Sequence, residues 1–276
     1  MPKRLSLAQL ETARTGGYAF PVPVLTPAEA RGYLDRFEAF ERDTGVSAPR
    51  DLKVKPHLLF RWMWELGTTP ALLDAVEDLI GPDIMLVTSA VWAKNARDPA
   101  YVTWHQDSAY FGYDPVDVWS AWIGLTEARL AHGCMRYMPG SHLRPEQPHI
   151  ESYAADNLLQ RGQYIPDYDE TGAVAAEVGA GEATFHHFRL AHSSEPNTSD
   201  RRRIGILFVY CPPYVKYSLG RYPARLVRGR DAYGHWDADP IPRRDMDPAA
   251  LAHFEAVRSA YADPKVRSEA ERAGLA

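Results

Sequence analysis

Residues 202–211, Arg-Arg-Ile-Gly-Ile-Leu-Phe-Val-Tyr-Cys, constrain the fold more than any other stretch of the chain. Successive side chains of a strand point to opposite faces. Arg203, Gly205, Leu207 and Val209 then share one face, and Arg202, Ile204, Ile206 and Phe208 the other. Both faces are apolar, so the strand must be covered on both sides. Further strands are expected over 84–94, 102–107, 117–126, 133–138, 173–178 and 182–187, from apolar runs bounded by turn residues. Helical spacing precedes them. Thr26-Pro27-Ala28-Glu29 is a capping box with proline at the first helical position. Ala30, Tyr33, Leu34, Phe37 and Phe40 follow at helical period, to about Asp43. A second helix is expected over 70–80, stopped by Gly81-Pro82, and a last one over about 248–261. Residues 45–60 read as loop and 139–172 as a long insertion over one mouth of the fold, a lid. Helices followed by short, regularly spaced strands argue for a mainly β, antiparallel double-sheet roll with helical flanks at both ends.

Size and charge narrow the function classes. The 276 residues suit one domain, and a fold of that length buries roughly three quarters of its extended-chain surface without staples. We read a helical flank over about 1–82, a core over about 83–212 and an extension over about 213–276. The net charge of −5 and the lack of any long basic run speak against nucleic acid as a partner. Two cysteines, Cys134 and Cys211, exclude a disulfide framework and read as buried thiols. The basic N-terminus lacks a long apolar segment, and no stretch approaches a membrane span. A cytoplasmic protein without a membrane partner is expected; its oligomeric state is open.

His105-Gln106-Asp107 sits in an apolar, aromatic segment, Tyr101-Val-Thr-Trp-His-Gln-Asp. On a continuing strand, His105 and Asp107 would share a face and Gln106 would point away. With a second histidine they would form a two-histidine, one-carboxylate triad, which leaves positions open on Fe(II) for a cosubstrate and O2. His192 supplies that histidine: it ends an apolar run and precedes the turn-rich Ser193-Ser-Glu-Pro-Asn197. His186 and His187 are rival imidazoles. An arginine opening the return strand at 201–203 can take a carboxylate bidentately. Gly205 beside Arg203 would leave room for a cosubstrate, and Arg201 is the fallback.

In order along the chain, Trp104-His-Gln-Asp107, Trp122-Ile-Gly-Leu, Gly133-Cys-Met-Arg-Tyr-Met-Pro-Gly-Ser-His142 and His192-Ser-Ser-Glu-Pro-Asn197 with Arg203 resemble the phytanoyl-CoA dioxygenase family of Fe(II)- and 2-oxoglutarate-dependent oxygenases. The resemblance covers about residues 16–212. It implies a double-stranded β-helix, a cupin-like jelly roll, with the metal between its sheets. It also implies His105, Asp107 and His192 as iron ligands, Arg203 as the anchor of the distal carboxylate of 2-oxoglutarate, Ser194 as a hydroxyl beside it, and Trp122 as a core aromatic of the cosubstrate pocket. The implied reaction couples oxidative decarboxylation of 2-oxoglutarate to hydroxylation of a small molecule, or to a related desaturation or ring closure. Relatives that halogenate lack the carboxylate, so Asp107 argues against halogenation. A non-catalytic metal-binding roll is the alternative, opposed by the joint presence of His105, Asp107, His192 and Arg203.

Substrate contacts are less defined. Tyr110 belongs to an aromatic wall with Tyr101, Phe111, Tyr113 and Trp119, which could stack a ring or hold a cation. Gln106, Lys94, Arg136, His149 and Arg189 are candidate polar contacts. The alanine- and arginine-rich composition suits secondary or small-metabolite metabolism.

Overall fold

A computed structural model describes residues 1–46, 52–109, 111–152, 154–159, 163–219 and 222–262. The chain begins with helix α1 (Leu7–Gly16), strand β1 (Tyr18–Pro23) and helices α2 (Pro27–Thr44), α3 (Arg61–Gly67) and α4 (Pro70–Ile80). Strands follow: β2 (Ile84–Lys94), β3 (Val102–His105), β4 (Tyr113–Asp114), β5 (Trp119–Gly124), β6 (Met135–Tyr137), β7 (Val174–Ala176), β8 (Glu182–His187), β9 (His192–Ser194) and β10 (Arg203–Cys211). Then come β11 (Lys216–Tyr217), β12 (Pro223–Arg228), β13 (Asp237–Ala238) and helix α5 (Pro248–Ala262). The expected capping box of Thr26 with Glu29 starts α2, and a second one, Ser6 with Gln9, starts α1.

A large sheet runs β1-β8-β5-β10-β2-β12-β13, and a small one runs β3-β9-β6-β7. Pairings are antiparallel except β12 with β13. The two-faced reading of β10 explains the layers. Ile204, Ile206 and Phe208 are buried in one cluster with Leu34 and Phe37 of α2, Trp62, Met63 and Leu66 of α3, and Leu72 and Val76 of α4. That is the outer, helix-covered face. The inner face meets the small sheet, where Tyr137 of β6 reaches across to Thr184 and His186 of β8. The site lies between the two sheets.

Segments beyond the expected elements matter too. β1 closes one edge by pairing with β8, and β12 extends the sheet beyond β2. Described residues of the 139–172 insertion run along β3 and the residue before it: Tyr101 N–H donates to Asp156 O, Leu158 N–H to Tyr101 O and Ile165 N–H to Trp104 O. They thereby block an otherwise open sheet edge. Cys134 and Cys211 are buried and unpaired with each other. No helix among the described residues is long and apolar enough to cross a membrane.

The C-terminal segment is tied in by a buried ion pair. Lys55 Nζ lies 2.5 Å from Asp239 Oδ2, both side chains fully buried, and His253 of α5 bonds the other carboxylate oxygen at 2.8 Å. Removing one partner of such a pair strands a charge and costs about 3–5 kcal/mol. Asp239→Ala should lose stability of that order in urea denaturation. The double variant Lys55→Met/Asp239→Leu should recover part of the loss, because neither charge then remains.

Candidate metal centre

β3 and β9 are neighbours, and their register sets His105 directly opposite His192. The ring centroids are 4.1 Å apart. Asp107 joins them by a different route from the one strand alternation suggests. β3 ends at His105, and Asp107 opens a short 3-10 turn, Asp107–Ala109. The turn swings its carboxylate back, so that Oδ1 stands 3.3 Å from His105 Nε2 and 4.0 Å from His192 Nε2. One ligand atom from each of the three residues fits within 4.8 Å of the others.

The backbone sets the imidazole tautomers. His105 Nδ1 lies 2.9 Å from Thr103 O, and His192 Nδ1 lies 3.0 Å from Leu190 O. A carbonyl only accepts, so each Nδ1 carries the proton and each Nε2 turns a lone pair toward Asp107. Burial, then neighbouring His105, holds His192 well below the usual histidine range, so its ring is neutral at pH 7. Burial opposes ionisation of Asp107, yet His192, His105 and His186 together hold its carboxyl well below the usual range. Two imidazole nitrogens and one carboxylate oxygen form a donor set for a divalent transition metal.

The same cavity is lined by Trp92, Trp122, Ser194 and Arg203 as well as the triad. Arg203 is 2% exposed; its Nη1 donates to Gly133 O at 2.7 Å and its Nε has no partner. Burial lowers it only to about 10, so it stays cationic. No carboxylate among the described residues pairs with it. A buried guanidinium without a protein anion is a receptor for an external one. Its guanidinium stands 5.3 Å from the centroid of the Trp122 ring. Trp122 also accounts for Gly205: a Cβ there would come within 2.0 Å of the indole. The space beside Arg203 is therefore taken by that ring rather than left to a cosubstrate.

Two lysines lie near the guanidinium. Lys94 Nζ bonds Ser194 O at 3.2 Å, together with Ser194 Oγ and Glu195 O, and so fixes the chain just after β9. Burial, then the charge of Arg203, lowers it to about 6. Lys53 was absent from the sequence expectations. Its buried Nζ has no hydrogen-bond partner, rests 3.2 Å from the Trp92 ring centroid, and is held well below the usual lysine range by burial and then by Arg203 and Lys94.

The remaining candidate contacts fall elsewhere. Gln106 donates to Arg189 O and accepts from Gln147 N–H, while His149 Nε2 accepts from Gln106 N–H. These bonds brace the loop behind the triad. Arg189 donates to Arg144 O. Arg136 pairs with Glu170 and Glu195 and faces the Trp104 ring. Gln106, Arg136, His149 and Arg189 do not line the cavity that holds the triad, and Tyr110 lies outside the described residues. Of the rival imidazoles, His186 does line it, whereas His187 faces Trp119 and His142. Thr184 and His186 share the inner face of β8 by alternation, a signal present in the sequence.

Comparison with known proteins places the chain in a family. The sequence pattern of the phytanoyl-CoA dioxygenase family matches residues 13–205. The probable alpha-ketoglutarate-dependent hypophosphite dioxygenase of Stutzerimonas stutzeri is 29% identical over 201 residues, covering 69% of this chain and 69% of its own. The peroxisomal phytanoyl-CoA dioxygenase of Bos taurus is 27% identical over 232 residues, covering 73% and 67%. Among solved structures, the non-heme monooxygenase ThoJ in its apo form superposes with a TM-score of 0.84 at 32% identity, covering 96% of this chain and 99% of its own. The non-heme alpha ketoglutarate dependent carbocyclase SnoK from nogalamycin biosynthesis gives 0.64 at 26% identity, covering 79% and 89%.

The contact between Gly205 and Trp122 yields a direct check. Gly205→Ala forces the indole aside and overpacks the inner face, at a cost of about 1–3 kcal/mol. The urea midpoint should fall accordingly; an unchanged midpoint contradicts the close approach.

Proposed function

We propose that this chain, which belongs to the phytanoyl-CoA dioxygenase family and is a 2-oxoglutarate-dependent dioxygenase using iron and O2, hydroxylates a small molecule. His105, Asp107 and His192 are the proposed iron ligands, and Arg203 the proposed anchor for the distal carboxylate of 2-oxoglutarate. One observation carries the reading: an N2O donor set and a cation with no carboxylate partner among the described residues line one cavity. Neither feature alone implies a keto diacid. Together they match its two ends, one of which seeks a metal and the other a guanidinium.

When bound, iron, 2-oxoglutarate and O2 supply the oxidising power, and the cosubstrate leaves as succinate and CO2. The chain contributes binding, orientation and exclusion of water. Nδ1–H bonds to Thr103 O and Leu190 O fix the two rings and prevent either Nε2 from being protonated in their place. Arg203, held by Gly133 O, offers its remaining N–H groups to a carboxylate. Trp122 walls the pocket beside the guanidinium, and Ser194 adds a hydroxyl whose position Lys94 sets. The burial of all these groups keeps the pocket dry, which strengthens each charge interaction.

Asp107 favours hydroxylation, or a related desaturation or cyclisation, over halogenation, because its carboxylate takes the place that a halide would need. The two facing antiparallel sheets support a double-stranded β-helix, with residues 1–276 as one domain. A cytoplasmic enzyme of small-metabolite or natural-product metabolism fits this reading. The kinship with SnoK, a carbocyclase from nogalamycin biosynthesis, supports the natural-product part of that setting.

Purified protein supplied with Fe(II), 2-oxoglutarate, ascorbate and air should release succinate, even uncoupled from a prime substrate. Asp107→Ala should abolish release. Arg203→Met should raise the KM for 2-oxoglutarate about 10- to 100-fold, as expected for the loss of charge-assisted hydrogen bonds. Undiminished succinate from Asp107→Ala removes that residue from the metal, and an unchanged KM in Arg203→Met removes the guanidinium from the cosubstrate.

A further inference from the structure

One imidazole at the centre is left over by the ligand assignment. His186 is 1% exposed, and its Nε2 has no hydrogen-bond partner. That nitrogen lies 3.6 Å from Asp107 Oδ2, whereas the closest approaches of His105 and His192 are to Oδ1. On its other side, His186 Nδ1 is 3.2 Å from the Tyr137 hydroxyl, which is 2.8 Å from Thr184 Oγ1. A chain of polar groups therefore runs from β8 through β6 and back to the carboxylate.

Proton counting orients this chain. Burial holds the Tyr137 phenol protonated, far above its usual range, so it has one proton to give. If His186 carried its proton on Nδ1, it would donate to Tyr137, and its Nε2 lone pair, unlike those of His105 and His192, would have no metal to meet and would face an anionic oxygen in a dry pocket. If instead Tyr137 O–H donates to Nδ1 and accepts from Thr184 O–H, then Nε2–H points at Asp107 Oδ2. Only the second arrangement places a donor opposite the carboxylate.

We propose that His186 is a positioning residue whose Nε2–H, 3.6 Å from Asp107 Oδ2 in this structure, closes on that oxygen when a metal draws Oδ1, and so leaves Oδ1 alone to meet the metal. The proposal rests on the reading of His105, Asp107 and His192 as the metal ligands. A carboxylate restrained at one oxygen binds through the other and keeps neighbouring positions open for the cosubstrate. A carboxylate released from that restraint can turn and take two positions. The rival role, a fourth metal ligand, is disfavoured by the geometry: the cluster whose ligand atoms lie within 4.8 Å of one another contains His105, Asp107 and His192 but not His186. The donor chain is also specific in what it requires, since the group at 186 must present a hydrogen to Asp107.

The test is anaerobic titration of the full-length chain with Mn(II), read as free-ion EPR, and with Co(II), read as its visible spectrum. Wild type, His186→Leu, His186→Gln and Tyr137→Phe are compared, with circular dichroism to check the fold. Loss of an outer partner to a metal ligand weakens metal binding about 10- to 100-fold. His186→Leu should show that loss together with a changed Co(II) spectrum. His186→Gln, whose amide can donate, should regain most of the affinity. Tyr137→Phe, which leaves the imidazole but removes the hydroxyl that orients its proton, should lie between. Affinity within twofold of wild type in His186→Leu overturns the proposal, and so does a glutamine variant no better than leucine. If the leucine variant does not fold, wild-type affinity and spectrum in Tyr137→Phe overturn it equally. A wild-type chain that binds neither ion sinks the metal-centre reading itself, an outcome distinct from a metal site indifferent to residue 186.

Discussion

Two backbone carbonyls, those of Thr103 and Leu190, set the chemistry of the centre. Each accepts the Nδ1 proton of the histidine two residues further on, His105 in one case and His192 in the other. An imidazole whose Nδ1 is bound in this way has its lone pair on Nε2, and both lone pairs then face the same carboxylate. The local backbone can hold these rings only because β3 and β9 are paired in the register that sets His105 against His192. That register depends on the small sheet lying against the large one, and the large sheet depends on its helical cover. The tautomer of two rings is thus connected to the packing of the whole molecule.

The cavity has two ends of opposite character. At one, a carboxylate between two imidazole nitrogens offers a donor set for a cation. At the other, Arg203 pairs with no carboxylate among the described residues, while burial drives nearby Lys53 and Lys94 toward their neutral forms. This split follows from electrostatics in a dry space: the arginine keeps its charge, and the lysines are pushed toward losing theirs. A ligand that is anionic at one end and metal-seeking at the other relieves both strains at once.

Much of this could be read in the sequence, for reasons that differ by element. Alternation along β10 separated the helix-facing Ile204, Ile206 and Phe208 from the inward Arg203, Gly205 and Leu207 because both faces are buried and the strand is long. The box at Thr26 placed α2, since a cap is a local interaction. β1 escaped notice because Pro21 and Pro23 read as turn residues, although an edge strand tolerates them. Asp107 was assigned the right neighbours for the wrong reason: a 3-10 turn, rather than strand alternation, brings it back to His105. Lys53 carries no local pattern at all, and only tertiary packing sets it on Trp92. The polar residues proposed for substrate contact, such as Gln106 and His149, proved to brace each other. Polarity near a site in sequence does not establish which way a side chain turns.

The most direct measurement is an anomalous-difference map from crystals grown anaerobically with Fe(II) and 2-oxoglutarate. The account predicts one iron peak bonded to His105 Nε2, His192 Nε2 and Asp107 Oδ1, at roughly 2.0–2.2 Å as is common for such ligands, with the diacid running from that peak to Arg203. A peak that excludes any of these three side chains, or a diacid whose far carboxylate avoids Arg203, contradicts it.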